Sequence, residues 1–138
     1  MQRLTLSAEA TIITLLIVPG YLMKLYQYPK CSTCRNAVKF LRAHDVEFES
    51  IDITVQPPTI DELRTMLNAY DGEIGRLFNR SGVRYRELKL KDTLPSMSES
   101  DALALLASDG KLIKRPFLIS ASGTSLVGYK QDEWQAVV

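Results

Sequence analysis

Cysteine is scarce in this chain, and so are the other residues that staple or metallate small folds. Two cysteines, one histidine and one tryptophan occur among 138 residues. Two cysteines cannot build the several-bridge framework of a small secreted domain, so a reducing, cytoplasmic setting is expected. Structural zinc sites take four protein ligands, and His44 falls ten residues past Cys34 in the same predicted helix, so no metal is expected. Charge of one sign is also lacking. Seventeen Lys and Arg against sixteen Asp and Glu leave a net charge of +1, which supplies no general field toward nucleic acid or an anionic membrane. Apolar stretches are short: the run from Thr11 to Val18 cannot span a bilayer. Repeats and low-complexity segments are missing too. What is there, 46% hydrophobic and 24% charged residues, is the composition of one ordinary domain that can bury a core without staples.

Both cysteines fall in one motif, Cys31-Ser32-Thr33-Cys34. Lys24 to Tyr28 reads as a short strand that Pro29 stops, and Arg35 to Arg42 continues a helix that opens at Thr33. The first thiol then stands at a helix N-terminus, where unpaired N–H groups and the helix dipole favour an anion. A thiolate is the reactive form of cysteine, and this setting lowers its pKa. The i,i+3 spacing brings the second sulfur to the same face, within reach of a disulfide. Two inert alternatives compete: a pair of small buried hydrophobes, and half of a zinc site. A CxxC that follows a strand and begins a helix favours redox chemistry over both. Lys30 and Arg35 flank the thiols and would further favour the thiolate, unless they are plain solvated charges. Ser32 and Thr33 carry hydroxyls suited to capping the helix.

Residues 1–22 are set apart from the core. Met23 stands directly before the first convincing strand, so the segment reads as an extension or a misassigned start. An additional strand or helix, and a targeting segment, are the less favoured readings. From 23 to 138 one domain is expected. Val46 to Ile53 alternates as a second strand, parallel to the first across a helical crossover. Pro57-Pro58 ends the unit. Thr59-Ile60-Asp61-Glu62 fits a capping box for a helix over about 60–70, closed by Gly72. A short helix over 74–78 breaks near Ser81-Gly82. Ser98 opens a further helix through Ala107, with Gly110 as its glycine cap. Phe117-Leu118-Ile119 and Ser125 to Tyr129 flank Ser122-Gly123-Thr124 as a hairpin, and Glu133 to Val137 closes the chain as a helix. The resulting class is α/β: a thioredoxin-like fold with a helical block inserted between a β-α-β and a β-β-α unit.

Two other features carry chemistry. Arg115-Pro116 opens an apolar strand, where proline is tolerated because it cannot donate to the ladder, and a cis bond is one option. The functional alternative puts this loop opposite the CxxC, shaping a partner-binding surface. From Arg76 to Lys91, six cations (Arg76, Arg80, Arg84, Arg86, Lys89 and Lys91) face only Glu87 within that run's basic stretch. A solvated face is the ordinary outcome, and a site for an oxyanion or an acidic partner the sharper one. Ser81-Gly82 argues against a single continuous ridge.

Taken together, Tyr28 to Asn36, Pro57-Pro58-Thr59, Leu77 to Gly82, Tyr85 to Leu88, Lys114-Arg115-Pro116 and Leu126 to Tyr129 resemble the arsenate reductase (ArsC)/Spx/MgsR family from Met23 to about Trp134. The resemblance implies that Cys31 is the attacking thiol, and that Arg115 is one of three arginines that hold arsenate in the reductases. The second arginine position falls on Asn79, with Arg80 as its neighbour, and the third on Gly128. Arsenate reduction is therefore not expected, because multidentate charge-assisted contacts are what fix a small oxyanion. Cys34 places the chain nearer the CxxC members, in which the two thiols close to a disulfide. The catalytic set is then Cys31, Cys34 and Arg115, with Lys30, Arg35, Arg80 and Pro116 as binding residues. No resident cofactor is implied. Glutathione, glutaredoxin or thioredoxin would serve as electron donor, and a redox partner protein or glutathione as partner. Spx-like and MgsR-like members act by binding RNA polymerase, which makes the C-terminal domain of its α subunit a further partner, with no direct nucleic-acid or membrane contact. Whether the chain is an oxidoreductase, a redox-switched regulator or an arsenate reductase stays open at this level.

Overall fold

In the computed structural model the described residues are 23–138, so the expectations for residues 1–22 lie outside them. The strand that follows, β1 (Met23–Gln27), alternates its side chains between two buried layers. Leu25 packs with Leu118, Ala37, Leu41 and Trp134, whereas Tyr26 packs with Ile51, Phe117, Leu63 and Met66. Because successive side chains of a strand point to opposite faces, burial on both marks β1 as an interior strand.

Its neighbours are β2 (Glu49–Asp52), parallel, and β3 (Phe117–Ser120), antiparallel; β4 (Ser125–Val127) completes the order β2-β1-β3-β4. The register sets Tyr26 opposite both Ile51 and Phe117. The expected parallel β-α-β unit and the 122–124 hairpin are both present, with Gly123 at φ 109° in the turn. The fold is thus the α/β thioredoxin-like arrangement with helices inserted between its two units.

Helix α1 (Ser32–Ala43) makes the crossover and buries Cys34, Ala37, Phe40 and Leu41 against one face of the sheet. The other face is covered by the inserted block, chiefly α2 (Ile60–Ala69) and α5 (Glu99–Ser108), with the short helices α3 (Val83–Glu87) and α4 (Leu90–Thr93) between them. The capping box at α2 is complete: Thr59 Oγ1 accepts from Glu62 N, and Glu62 Oε1 accepts from Thr59 N. Glu62 also accepts from Tyr26 Oη at 2.7 Å and pairs with Lys24 Nζ at 3.3 Å, which ties the helix start to β1. Gly72, at φ 79°, returns its N–H to Leu67 O and closes the helix as expected. The chain ends in α6 (Gln131–Trp134), whose Trp134 is fully buried.

Three local expectations are corrected. The 74–78 helix is a single 3-10 turn, Ile74–Leu77. Gly110 is not a left-handed cap: α5 ends on an extended Asp109, and Gly110 is glycine because a Cβ there would lie 1.7 Å from Ile53 O. The cap of α1 is also not a hydroxyl. The Cys31 sulfur itself accepts from the Cys34 N–H.

Candidate active site

The site begins where β1 runs out. Tyr28 O accepts the Cys31 N–H at 2.9 Å, which turns the chain so that Cys31, in extended conformation, becomes the N-cap of α1. The N-cap position is where a side-chain acceptor meets the unpaired N–H groups of the first turn. Here the acceptor is sulfur: Cys34 N–H donates to Cys31 Sγ at 3.3 Å. Cys34, one turn on, is fully buried, and its own sulfur accepts from Tyr28 N–H at 3.5 Å. Cys31 is half-buried, and the two thiols are not bridged.

The facing loop supplies the counter-charge. The Arg115–Pro116 peptide bond is cis, Pro116 is buried, and Pro116 O accepts Gly128 N–H at 2.8 Å. Arg115 lays its guanidinium over the Tyr28 ring, 4.9 Å from the centroid, and from there it favours the charged form of the Cys31 thiol. A cation on an aromatic face is held by the ring quadrupole, so Tyr28 steadies the arginine beside the sulfur.

These contacts separate the acidities of the two thiols. Burial pushes the Cys31 thiol up, but the Cys34 thiol and N–H, followed by the Arg115 guanidinium, outweigh it and hold Cys31 below the ordinary thiol value. Cys34 is pushed up to about 12, first by burial and then by the neighbouring Cys31, against the opposing Tyr28 N–H and Arg115. The arrangement favours ionisation of Cys31 and keeps Cys34 protonated behind it.

Cys31 opens onto a cleft of about 740 Å³. Arg115, Arg76, Lys114 and Lys130 bring four cations to its wall against one carboxylate, Glu133, and Asn79 and Gly128 also line it. The positions that the sequence matched to the three arsenate-holding arginines (Arg115, Asn79 and Gly128) therefore do converge on one cleft, and only one of them carries charge. Arg115 and Asn79 also border a second groove of about 400 Å³, shared with Tyr28, Thr54, Val83 and Lys111.

The remaining site candidates stand elsewhere. Arg35 is exposed and donates to Pro29 O at 3.1 Å, strapping the turn before the thiols. Lys30 is exposed at the same turn and is not part of the cleft wall. Arg80 lines separate grooves with Tyr85 and Lys91. The basic run is accordingly dispersed. Arg84 pairs with Glu87 at 2.8 Å and with Asp109 at 3.0 Å, Arg86 donates to Ser81 O, and Arg76 alone of the run reaches the Cys31 cleft. Sequence reasoning did not single out Lys114, Lys130, Glu133 or Tyr28 for the site. Lys114 and Tyr28 each belong to a motif it did use, whereas Lys130, the N-cap of α6, and Glu133 within it carry no local signal.

A thioredoxin-like α/β fold with a CxxC at a helix start and an arginine-proline loop facing it defines a class of thiol-active proteins. Within it, the chain belongs to the ArsC family, whose pattern it matches over residues 26–137. It is 44% identical over 113 residues to uncharacterized protein YusI of Bacillus subtilis, covering 82% of this chain and 95% of that one. It is 32% identical to the global transcriptional regulator Spx of the same organism, over 81% of this chain and 83% of Spx. Among solved structures it is similar to an ArsC family related protein from Bacteroides fragilis, with a TM-score of 0.81, 39% identity, and coverage of 86% and 99%.

Proposed function

We propose that the chain is a thiol–disulfide redox protein in which Cys31 attacks, Cys34 resolves, and a Cys31–Cys34 disulfide is the product. The separation of the two thiols' acidity carries this reading. Cys31 thiolate attacks one sulfur of a partner disulfide, a mixed disulfide forms, and the first partner sulfur leaves as a thiolate. Cys34 then gives up its proton and attacks Cys31 Sγ, the second partner sulfur leaves, and two electrons have passed from the protein to the partner. With a peroxide, Cys31 instead becomes a sulfenic acid, and Cys34 displaces hydroxide, which leaves as water with the thiol proton. The neighbouring Cys31 helps keep Cys34 protonated, so neutralising Cys31 in the mixed disulfide removes a barrier to the second step.

The reading places the protein in a reducing, cytoplasmic compartment, with glutathione or a glutaredoxin or thioredoxin restoring the thiols. Among the described residues no helix is long and apolar enough to cross a membrane. The test is a Cys34→Ser variant challenged with cell extract and examined by mass spectrometry. It should accumulate a mixed disulfide on Cys31, and wild type after mild peroxide should lose both free thiols together. Two thiols that stay independent under peroxide end the redox reading.

Similarity to Spx favours a second reading, in which the same disulfide switches binding to the C-terminal domain of the RNA polymerase α subunit. Pull-down of that domain by only one redox state supports it, and no association in either state removes it. Arsenate reduction fits less well, since Asn79 and Gly128 leave Arg115 without the other two arginines around the thiol.

A further inference from the structure

Gly128 sits in the wall of the Cys31 cleft at φ 73°, and a Cβ there would meet Lys114 Cε at 3.2 Å. The stem of Lys114 therefore lies across the glycine, in space that a side chain at position 128 would contest. Both partners of this contact are anchored through their backbones. Lys114 N–H donates to Leu77 O at 2.7 Å, Gly128 N–H donates to Pro116 O at 2.8 Å, and Trp134 Nε1–H donates to Gly128 O at 3.1 Å. Lysine stems commonly lie along a surface in this way and leave the ammonium free for solvent or ligand.

The four cations of the cleft are not equivalent. Arg115 is held on the Tyr28 ring, and Arg76 is held on the Tyr70 ring at 4.6 Å and by Glu73 at 3.8 Å. Lys114 and Lys130 form no ion pair among the described residues. Two uncommitted ammonium-bearing side chains in the wall of the cleft that holds a nucleophilic thiol raise the local concentration of anions there and speed their encounter with it. At about 740 Å³ the cleft falls in the range of small-molecule sites and is wide for a lone tetrahedral oxyanion.

We propose that Lys114, laid over Gly128, is a specificity-determining residue that makes Cys31 select disulfide substrates bearing a carboxylate near the reacting sulfur. This rests on the redox reading of the same site and names its substrate class. In the first step Cys31 thiolate attacks one sulfur of the anionic disulfide, and the carboxylate-bearing thiolate leaves past the lysine. Cys34 then expels the second thiolate and closes the protein disulfide.

The experiment measures release of aromatic thiolate from two probe disulfides by reduced full-length protein. One is dithiobis(nitrobenzoate), with a carboxylate on each ring, and the other is dithiodipyridine, neutral at pH 7. Differences in intrinsic reactivity between the probes cancel when only the anionic-to-neutral rate ratio is compared among variants. Lys114→Met should lower that ratio by about 3- to 10-fold, and Lys114→Arg should restore it. Lys91→Met, which loses the same charge outside the cleft, should keep the wild-type ratio. An unchanged ratio in Lys114→Met, or an equal fall in Lys91→Met, overturns the proposal while the redox reading stands. If neither probe modifies Cys31, the redox reading fails and this proposal fails with it.

Discussion

Replacing Gly110 with alanine should destabilise the protein more than the same change at Gly72. A Cβ on Gly110 would lie 1.7 Å from Ile53 O, 2.7 Å from Ile53 C and 3.3 Å from Thr54 Cα, whereas ordinary contact begins near 3.4 Å. The obstacle is backbone, so no rotamer change relieves it. Ile53 is fully buried, and its N–H donates to Gln27 O at 3.0 Å, so it cannot retreat without disturbing the end of β1. Overpacking a core costs about 1–3 kcal/mol, and a hydrogen bond lost with the shift adds about 1 kcal/mol. The expected cost is therefore about 2–4 kcal/mol, a large part of the roughly 5–15 kcal/mol that holds such a domain together. In a thermal melt of the reduced protein followed by circular dichroism, that corresponds to a fall in Tm of roughly 6–20 °C. Gly72 has φ 79° with nothing within 4 Å of its added Cβ, so alanine there meets only the left-handed backbone penalty of about 1–2 kcal/mol. Equal melting temperatures for the two variants would refute the close-approach reasoning. The functional stake is that Gly110 begins the segment leading through Ile113 and Lys114 to Arg115.

Two further outcomes follow from the site. Alkylation of Cys31 by iodoacetamide should have a midpoint below the ordinary thiol pKa, because its thiolate is favoured; the rate falls only as pH drops through that lowered value, and Arg115→Met should move the midpoint upward. Cys34 should resist the reagent over the same pH range, and equal labelling of both thiols at neutral pH would contradict the assigned asymmetry. Trp134→Phe removes the Nε1–H donor to Gly128 O and part of a fully buried ring, which should cost about 1–3 kcal/mol and a few degrees of Tm, read by the same melt.

Local signals carried the fold well wherever a residue's role was set by its own neighbours. The Thr59–Glu62 capping box, the Gly72 stop, the two-faced apolar strand at Phe117 and the hairpin glycine at 123 all act within a few residues. Gly110 shows where this ends. After a helix, glycine commonly signals a left-handed cap, but this one answers to Ile53, a residue far away in sequence that only the assembled sheet brings near. The site divides in the same way. Cys31, Cys34 and Arg115 stand in motifs that announce their chemistry, yet the cap on α1 is sulfur rather than the hydroxyls nearby, because the extended turn at Cys31 puts Sγ against the Cys34 N–H. Arg76 belongs to a basic run whose other members stay out of the Cys31 cleft, and no periodicity in that run distinguishes it. Lys130 and Glu133 enter the cleft through the packing of α6, which depends on burying Trp134.

The order of the two proposed thiol reactions is built into their electrostatics. Before a partner arrives, Cys31 draws on the Cys34 thiol, the Cys34 N–H and Arg115 for its lowered pKa, and in return it helps hold Cys34 protonated. Premature ionisation of Cys34 would place a second negative charge against the first in a buried setting, which is costly. Forming the mixed disulfide neutralises Cys31 but leaves Arg115 in place, so the same guanidinium that favoured the first thiolate now favours the second. In the proposed reaction these electrostatics favour attack by Cys31 before resolution by Cys34. The two uncharged positions in the wall then matter for what can be attacked. Arginines at 79 and 128 would narrow the cleft around a small anion over the sulfur, whereas Asn79 and the Lys114-covered Gly128 leave a wide, cationic entrance. A wide entrance suits a disulfide, whose leaving sulfur must depart in line with the attack while the rest of the molecule stays beside the thiol.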